Sequence, residues 1–257
     1  MKRFFRHHAT LWMLIGFCLL LGLFLSLRTG IFFTGRNLIN ILEANSFKLL
    51  LAIGMTFVIA SGGIDLSVGS ILSLSAIFTA LCMKQNIPVW LAILVGLLSG
   101  ILMGLINGAL IHFTGINAFI ITLGTSFLYR GLALIVTRGT PASKLPAAYR
   151  AFGGGDIFQV ESGVYMALLV LLLSIPLLYK MRWGHYITTL GGNPVALRRC
   201  GVRTGAWRIS TFAVMGFLAA LAGIIISARL NSAEPNAGLN MEMDAITAVI
   251  LGGTPLH

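Results

Sequence analysis

Apolar residues in this chain neither alternate nor keep to one helical stripe. They come in long uncharged runs set between short charged stretches. The runs cover residues 11–27, 49–64, 66–83, 85–129, 131–137, 163–179 and 209–228. As helices, at ~1.5 Å per residue, runs of this kind are about long enough to cross the hydrocarbon layer of a bilayer. The run from residue 85 is too long for one helix. It is split at residues 112–115, which predicts one span at 88–111 and another at 116–136 that contains Arg130. The first run follows Lys2, Arg3 and Arg6 and has 17 residues. It exceeds the ~7–15 of a signal-peptide core and reads as a span. A last apolar piece, residues 245–256, begins like a span and offers 12 residues against the ~20 needed to cross. The pattern therefore predicts an all-α polytopic transmembrane helical bundle, with seven full spans plus a truncated eighth, in a single transmembrane domain over residues 1–257.

Composition narrows the class. The chain is 57% hydrophobic and 10% charged, whereas soluble domains carry about 25% charged residues. An integral membrane protein follows. Cys18, Cys82 and Cys200 are odd in number, and the first two lie in apolar runs, which argues against a disulfide framework. A net charge of +11 in a soluble chain would point to nucleic acid. Here it reads as loop charge that sets orientation and meets anionic membrane lipid, with no nucleic-acid partner. Residues 1–8 hold three Lys and Arg residues, which places the N-terminus in the cytosol. Counting spans then puts residues 180–208, with six Lys and Arg and no acid, inside; it puts 229–244, with one Arg and three acids, outside. Residues 28–48 fit poorly, since they fall outside with three basic residues and one acid. A short amphipathic helix lying in the interface is expected to absorb them.

Four places carry candidate chemistry. Within the basic loop, Asn193 suits a helix cap, Pro194 the first helical position and Gly201 the stop. A small basic helix held in the cytosol presents a surface to a partner. Between the second and third spans runs Ser61-Gly62-Gly63-Ile64-Asp65-Leu66-Ser67, where Asp65 is the only acid between Glu43 and Asp156. Either Gly62 and Gly63 end one helix and Asp65 or Ser67 caps the next, or the junction is part of a path or gate that offers Asp65 and freed backbone groups to a polar solute. The span count puts it towards the cytosol. Asn107 either bonds across helices or lines the path; Arg130 either snorkels to the outer surface or does the same. Gly96, Gly100, Gly104 and Gly108 make one smooth face, read as a tight packing seam or a sliding gate helix. His112 and His185 have no Cys, His or acid at ligand spacing, so no metal site and no cofactor is expected. No lysine follows a glycine, which excludes a Gly-Lys-Ser/Thr phosphate loop. The chain is expected not to be an enzyme; any energy comes from a partner or an ion gradient.

Further motifs carry a resemblance. They are Gly54-Met55-Thr56-Phe57-Val58-Ile59 leading to Gly62-Gly63-Ile64-Asp65-Leu66-Ser67-Val68-Gly69-Ser70, then Ala118-Phe119-Ile120-Ile121-Thr122-Leu123, and Leu190-Gly191-Gly192-Asn193. Ala228-Arg229-Leu230-Asn231-Ser232-Ala233-Glu234-Pro235 and Asp244-Ala245-Ile246-Thr247-Ala248-Val249-Ile250-Leu251-Gly252-Gly253-Thr254 complete them. Over nearly its whole length the chain resembles the permease subunits of bacterial ABC sugar importers, most nearly the ribose type. The motifs are specific to the family and not to one sugar. The resemblance implies a multi-pass subunit of the bacterial inner membrane that pairs with a second permease copy. A cytosolic ATP-binding subunit and a periplasmic sugar-binding protein are the implied partners. Gly191, Gly192, Asn193, Pro194, Ala196, Arg198, Arg199 and Gly201 then look like the coupling helix that fits the ATPase, in a cytosolic coupling loop at 180–208. Family members continue past Gly-Gly-Thr, so roughly the last fifth of the fold is expected to be missing and uptake by this chain alone is not expected. The competing readings are weaker: an ion-gradient-driven secondary transporter or channel needs intramembrane acids, of which only Asp65 is a candidate. A membrane-embedded enzyme needs clustered His, Asp or Ser.

Overall fold

The computed structural model describes residues 9–254. Among the described residues, eleven α-helices follow one another: α1 (Ala9–Thr29), α2 (Gly35–Ala60), α3 (Val68–Lys84), α4 (Val89–Thr114), α5 (Ala118–Thr137), α6 (Ala147–Gly154), α7 (Ser162–Tyr179), α8 (Arg182–Gly192), α9 (Pro194–Arg199), α10 (Thr204–Leu230) and α11 (Met241–Leu251). The strands are two residues each. β1 (Ala142–Ser143) pairs with β4 (Ser232–Ala233), and β2 (Asp156–Ile157) with β3 (Val160–Glu161), both antiparallel. Among the described residues six helices, α1, α2, α4, α5, α7 and α10, are long and apolar enough to cross a membrane; α3 is apolar but has 17 residues. The fold is an all-α polytopic bundle of a multi-pass membrane protein.

α10 is the central post, packed on α2, α3, α4 and α6. Its apolar window is 67% buried, against 6% for α1 at the periphery. Small residues make this possible. A Cβ added to Gly100 of α4 would run into Ala220 and the Gly216 carbonyl of α10; one on Gly104 would meet the Phe212 carbonyl, and one on Gly108 the Ile209 backbone. Gly96 faces Thr79 of α3 and Ile224 of α10. Between apolar helices in lipid, association rests on close packing and interhelical hydrogen bonds, and small residues allow the approach. The remaining apolar surface, on α1, α5 and α7 above all, faces outward.

Several boundaries differ from the hydrophobic runs. α2 starts at Gly35, so residues 35–48 continue the membrane helix and form no separate interfacial one. Charge interrupted the run, but the charges have partners. Lys48 pairs with Asp244 at 2.8 Å, and Glu43 accepts the Glu161 N–H at 3.2 Å. Arg229 in turn pairs with Glu161 at 2.9 Å; burial pushes the Glu161 carboxyl up, against the pull of Arg229. α10 takes in Arg208 and starts at Thr204. The last apolar piece is helical from Met241 and lies along α2. Residues 1–8, with the N-terminal basic group, and 255–257 lie outside the described residues. α6 was not expected; it is anchored by Tyr149, whose hydroxyl bonds Ser227 at 2.6 Å and the Ile224 carbonyl at 3.1 Å.

Replacing Gly100 or Gly104 by Leu should force α4 off α10 and lower the detergent melting stability by about 1–3 kcal/mol or more. Gly131 in α5 has open space at its Cβ position, so Gly131→Ala should be neutral or stabilising by up to ~1 kcal/mol. Unchanged melting in both leucine variants would place the glycine face against lipid.

Candidate functional site

α2 stops at Ala60, and the chain does not resume helix until Val68. Gly62, at φ +79°, takes the left-handed turn that only glycine adopts freely. The Gly62 and Gly63 N–H groups return to the Ile59 and Val58 carbonyls and close the end of α2. The following residues stay unwound inside the bundle. Their backbone is served by Thr122 of α5, whose hydroxyl accepts the Leu66 N–H at 3.1 Å and lies 2.8 Å from the Ala118 carbonyl and 3.2 Å from that of Ile64. Non-helical backbone at membrane depth needs such partners, because no water is there to supply them.

Asp65 is fully buried in this segment. Its Oδ1 accepts the Ser67 N–H at 2.8 Å and the Ser67 hydroxyl at 2.6 Å. Ser67 Oγ accepts from Asn107 Nδ2 at 2.7 Å, and Asn107 Oδ1 accepts from the Tyr129 hydroxyl at 3.1 Å. Each donor in this chain therefore points towards the carboxylate. Asp65 Oδ2 is buried with no hydrogen-bond partner among the described residues. Asn107 lies seven residues before the end of α4, about 10 Å along the axis at 1.5 Å per residue. The junction thus starts at the end of the bundle that carries the basic loop and climbs into its interior. Ser67 is the N-cap residue of α3 but makes no side-chain cap; Asp65 bonds its N–H instead.

Above Ser67, the first turns of α3 meet the segment between β4 and α11. Gly69 and Gly238 are in backbone contact, and the Gly238 N–H donates to Ser73 Oγ at 3.2 Å. Arg130 joins this contact. Its Nη1 donates to the Pro235 carbonyl at 2.6 Å and to Ser73 Oγ at 3.1 Å. Of the two readings of Arg130, outward snorkelling or a place in the interior, the bonds to a carbonyl and a hydroxyl of the bundle favour the second. Arg130 is one residue from Tyr129 yet belongs to a different cluster from Asp65, Ser67 and Asn107.

The basic loop folds into α8 and α9. Gly191 lies against Ala60 and Gly62, so close that a Cβ on Gly191 would meet the Ala60 carbonyl. Asn193 Oδ1 accepts the Ala196 N–H at 2.9 Å, Pro194 starts α9, and Gly201 follows it at φ +78°. Leu197 is buried, while Ala196, Arg198, Arg199 and Gly192 are exposed. Trp183 ties the loop down by donating to Ser210 at 3.0 Å and packing edge-on to Phe57 at 5.1 Å. Among the described residues no three His, Cys, Asp or Glu side chains are grouped to hold a metal ion. Tyr129, Ser73 and Trp183 were not singled out from sequence. Tyr129, at the end of an uncharged run, was the one with a visible signal: a hydroxyl in an apolar helix needs a partner.

The permease-component family model of the branched-chain amino acid transport system matches residues 37–256. The ribose import permease protein of Haemophilus influenzae is 38% identical over 229 residues, which is 88% of this chain and 71% of that protein. The ribose import permease protein of Bacillus subtilis is 39% identical over 243 residues, 92% of this chain and 76% of that protein. The D-allose transport system permease protein of Escherichia coli K12 is 35% identical over 237 residues, 92% and 73% respectively. No solved structure matches. With a match across most of its length, the chain belongs to the branched-chain amino acid transport system permease-component family.

Proposed function

We propose that this chain is the membrane-spanning permease subunit of an ATP-driven importer of a ribose-like monosaccharide. One observation carries the mechanism: the glycine contact between the basic loop, at Gly191, and the unwound junction that leads to Asp65. The names of the relatives support sugar import and do not favour an ion-gradient mechanism. On this reading α8 and α9 form the coupling surface, with Gly191, Gly192, Asn193, Pro194, Ala196, Arg198, Arg199 and Gly201 shaping it. A separate cytosolic subunit hydrolyses ATP, a periplasmic protein delivers the sugar, and a second permease copy completes the path. The basic loop and the N-terminus lie in the cytosol of a bacterial inner membrane. α3 completes a seventh span from its start inside the bundle, and α11 begins an eighth. Gly62, Gly63, Asp65, Ser67 and Asn107 form the gate, and Arg130 holds the segment that closes it from the other side.

The contact is tested by Gly191→Leu in liposomes that hold the permease, its ATPase and its binding protein. The leucine drives the loop off the junction, so sugar-stimulated ATP hydrolysis should fall about tenfold or more while the subunits still co-purify. Unaltered stimulation would remove Gly191 from the coupling route.

Arg198→Glu with Arg199→Glu tests the surface itself. Both side chains are exposed and their reversal does not disturb the bundle, so membrane insertion should stay normal while co-purification with the ATPase weakens by about tenfold or more. A reporter that places residues 180–208 on the outer side would refute the orientation.

Asp65→Asn keeps an acceptor for the Ser67 N–H, whereas Asp65→Leu strands it and the Ser67 hydroxyl at about 1–3 kcal/mol. Transport and melting should therefore fall less in the Asn variant than in the Leu variant. Equal and complete loss of transport in both, with normal assembly, would assign the role to the charge.

A further inference from the structure

Beside α9 the bundle opens into a cleft of about 610 Å³. This is the size of a small-molecule site. Its lining comes from three places: the end of α4 around His112 and Gly115, Leu190 with Pro194 and Arg198 on α8 and α9, and the entry to α10 with Arg203 and Arg208. Arg198, Arg203 and Arg208 all contribute, and no Asp or Glu does. Among the described residues none of these arginines makes an ion pair or a side-chain hydrogen bond. Arg208 is only partly exposed and shares the cleft lining with Arg198. Guanidiniums brought together without a counter-charge repel, and the fold holds them so. α10 adds its positive end, since its N-cap residue, Arg203, supplies no side-chain cap.

We propose that this cleft binds one phosphate-bearing anion, held by Arg203 and Arg208 with Arg198 at its side. Guanidinium forks match phosphate oxygens in geometry as well as charge. The floor of Ile111 and Leu190 is apolar and buried. Two apolar residues adjoin the lining residues His112 and Gly115 in the chain and form an exposed lip: Phe113 is 79% exposed and Ile116 44% exposed. An arginine cleft with such a lip suits a phospholipid headgroup whose acyl chains lie along α4 and α5. A free phosphate shares the headgroup chemistry but has no use for the lip. The site goes beyond the import reading and stands or falls separately from it.

The test uses the purified full chain in a zwitterionic detergent, with dihexanoyl phosphatidylglycerol, dihexanoyl phosphatidylcholine and inorganic phosphate as probes. Equilibrium binding and the melting midpoint are the readouts. Phosphatidylglycerol should bind about tenfold more tightly than phosphatidylcholine, as expected for a charge-assisted contact, and the preference should shrink as salt is raised. Arg203→Gln with Arg208→Gln should abolish the preference, and the Arg203→Lys with Arg208→Lys pair, which keeps the charge, should retain much of it. Tight binding of phosphatidylglycerol but not of phosphate assigns a lipid headgroup; equal binding of both assigns a free phosphate. Three results overturn the proposal. In the first, the wild type shows no anionic preference, or one insensitive to salt. In the second, the preference survives in the glutamine pair. In the third, that pair binds the probes normally but no longer co-purifies with the ATPase, which would mean that the arginines face carboxylates of a protein partner. Loss of sugar uptake elsewhere in the system leaves these binding readouts untouched.

Discussion

A carboxylate with no exposed surface inside an apolar bundle sets the terms for the rest of this molecule. Removing an ion from water costs several kcal/mol unless hydrogen bonds replace the lost hydration. Asp65 receives its compensation through one oxygen, from the backbone and hydroxyl of Ser67. Ser67 can donate in that direction because Asn107 donates to it, and Asn107 is oriented by Tyr129. Hydrogen bonds aligned head to tail polarise one another. Three helices and the unwound segment are therefore fixed relative to one another by a single chain of donors. The Oδ2 oxygen stands outside that chain, which leaves one acceptor in the bundle interior with unspent capacity. Under the proposed import reading, that acceptor is available to a polyhydroxylated solute.

The donor chain depends on the glycine seam. Asn107 sits between Gly104 and Gly108 on α4, and those glycines let α4 lie directly on the α10 backbone. A larger residue at either position would widen the helix pair and withdraw Asn107 from Ser67. Packing and polarity thus reinforce each other: dispersion brings the helices together, and the polar network chooses the register in which they meet. In lipid, where apolar burial gives helices no preference for one another over acyl chains, both are needed.

The long uncharged runs were legible because a membrane helix must avoid charge along its length, and the split at residues 112–115 was legible because Gly115 ends α4 in a left-handed turn. The α9 helix was legible for local reasons too, since Asn193, Pro194 and Gly201 each act within a few residues. The start of α2 was hidden because Glu43 and Lys48 look like loop residues until their partners at positions 161 and 244 are placed beside them. The same holds for Arg130, whose partners at Ser73 and Pro235 are 57 and 105 residues away. Asp65, Ser67 and Asn107 were visible as oddities in apolar surroundings. Their mutual bonding, and the role of Tyr129 in it, required the fold.

The first turns of α3 lie between two contacts made by glycine. On one side, Gly62 and Gly191 join the junction to the basic loop; on the other, Gly69 and Gly238 join α3 to the segment before α11. Contacts between backbones hold no flexible side chain that can yield when one partner shifts, so displacement is passed on and not absorbed. Under the proposed import reading, a shift of α8 and α9 on their ATPase reaches residues 61–67 directly, and α3 carries it to the Gly238 segment. Arg130 resists that movement through two hydrogen bonds, and Asp65 resists it through the donor chain. The two clusters flank the same short stretch, from Ser67 at the N-cap of α3 to Ser73, and they cannot both keep their present geometry if that stretch moves. Under the same proposed reading, a gate built this way would have two defined arrangements, because either set of hydrogen bonds is costly to leave half made.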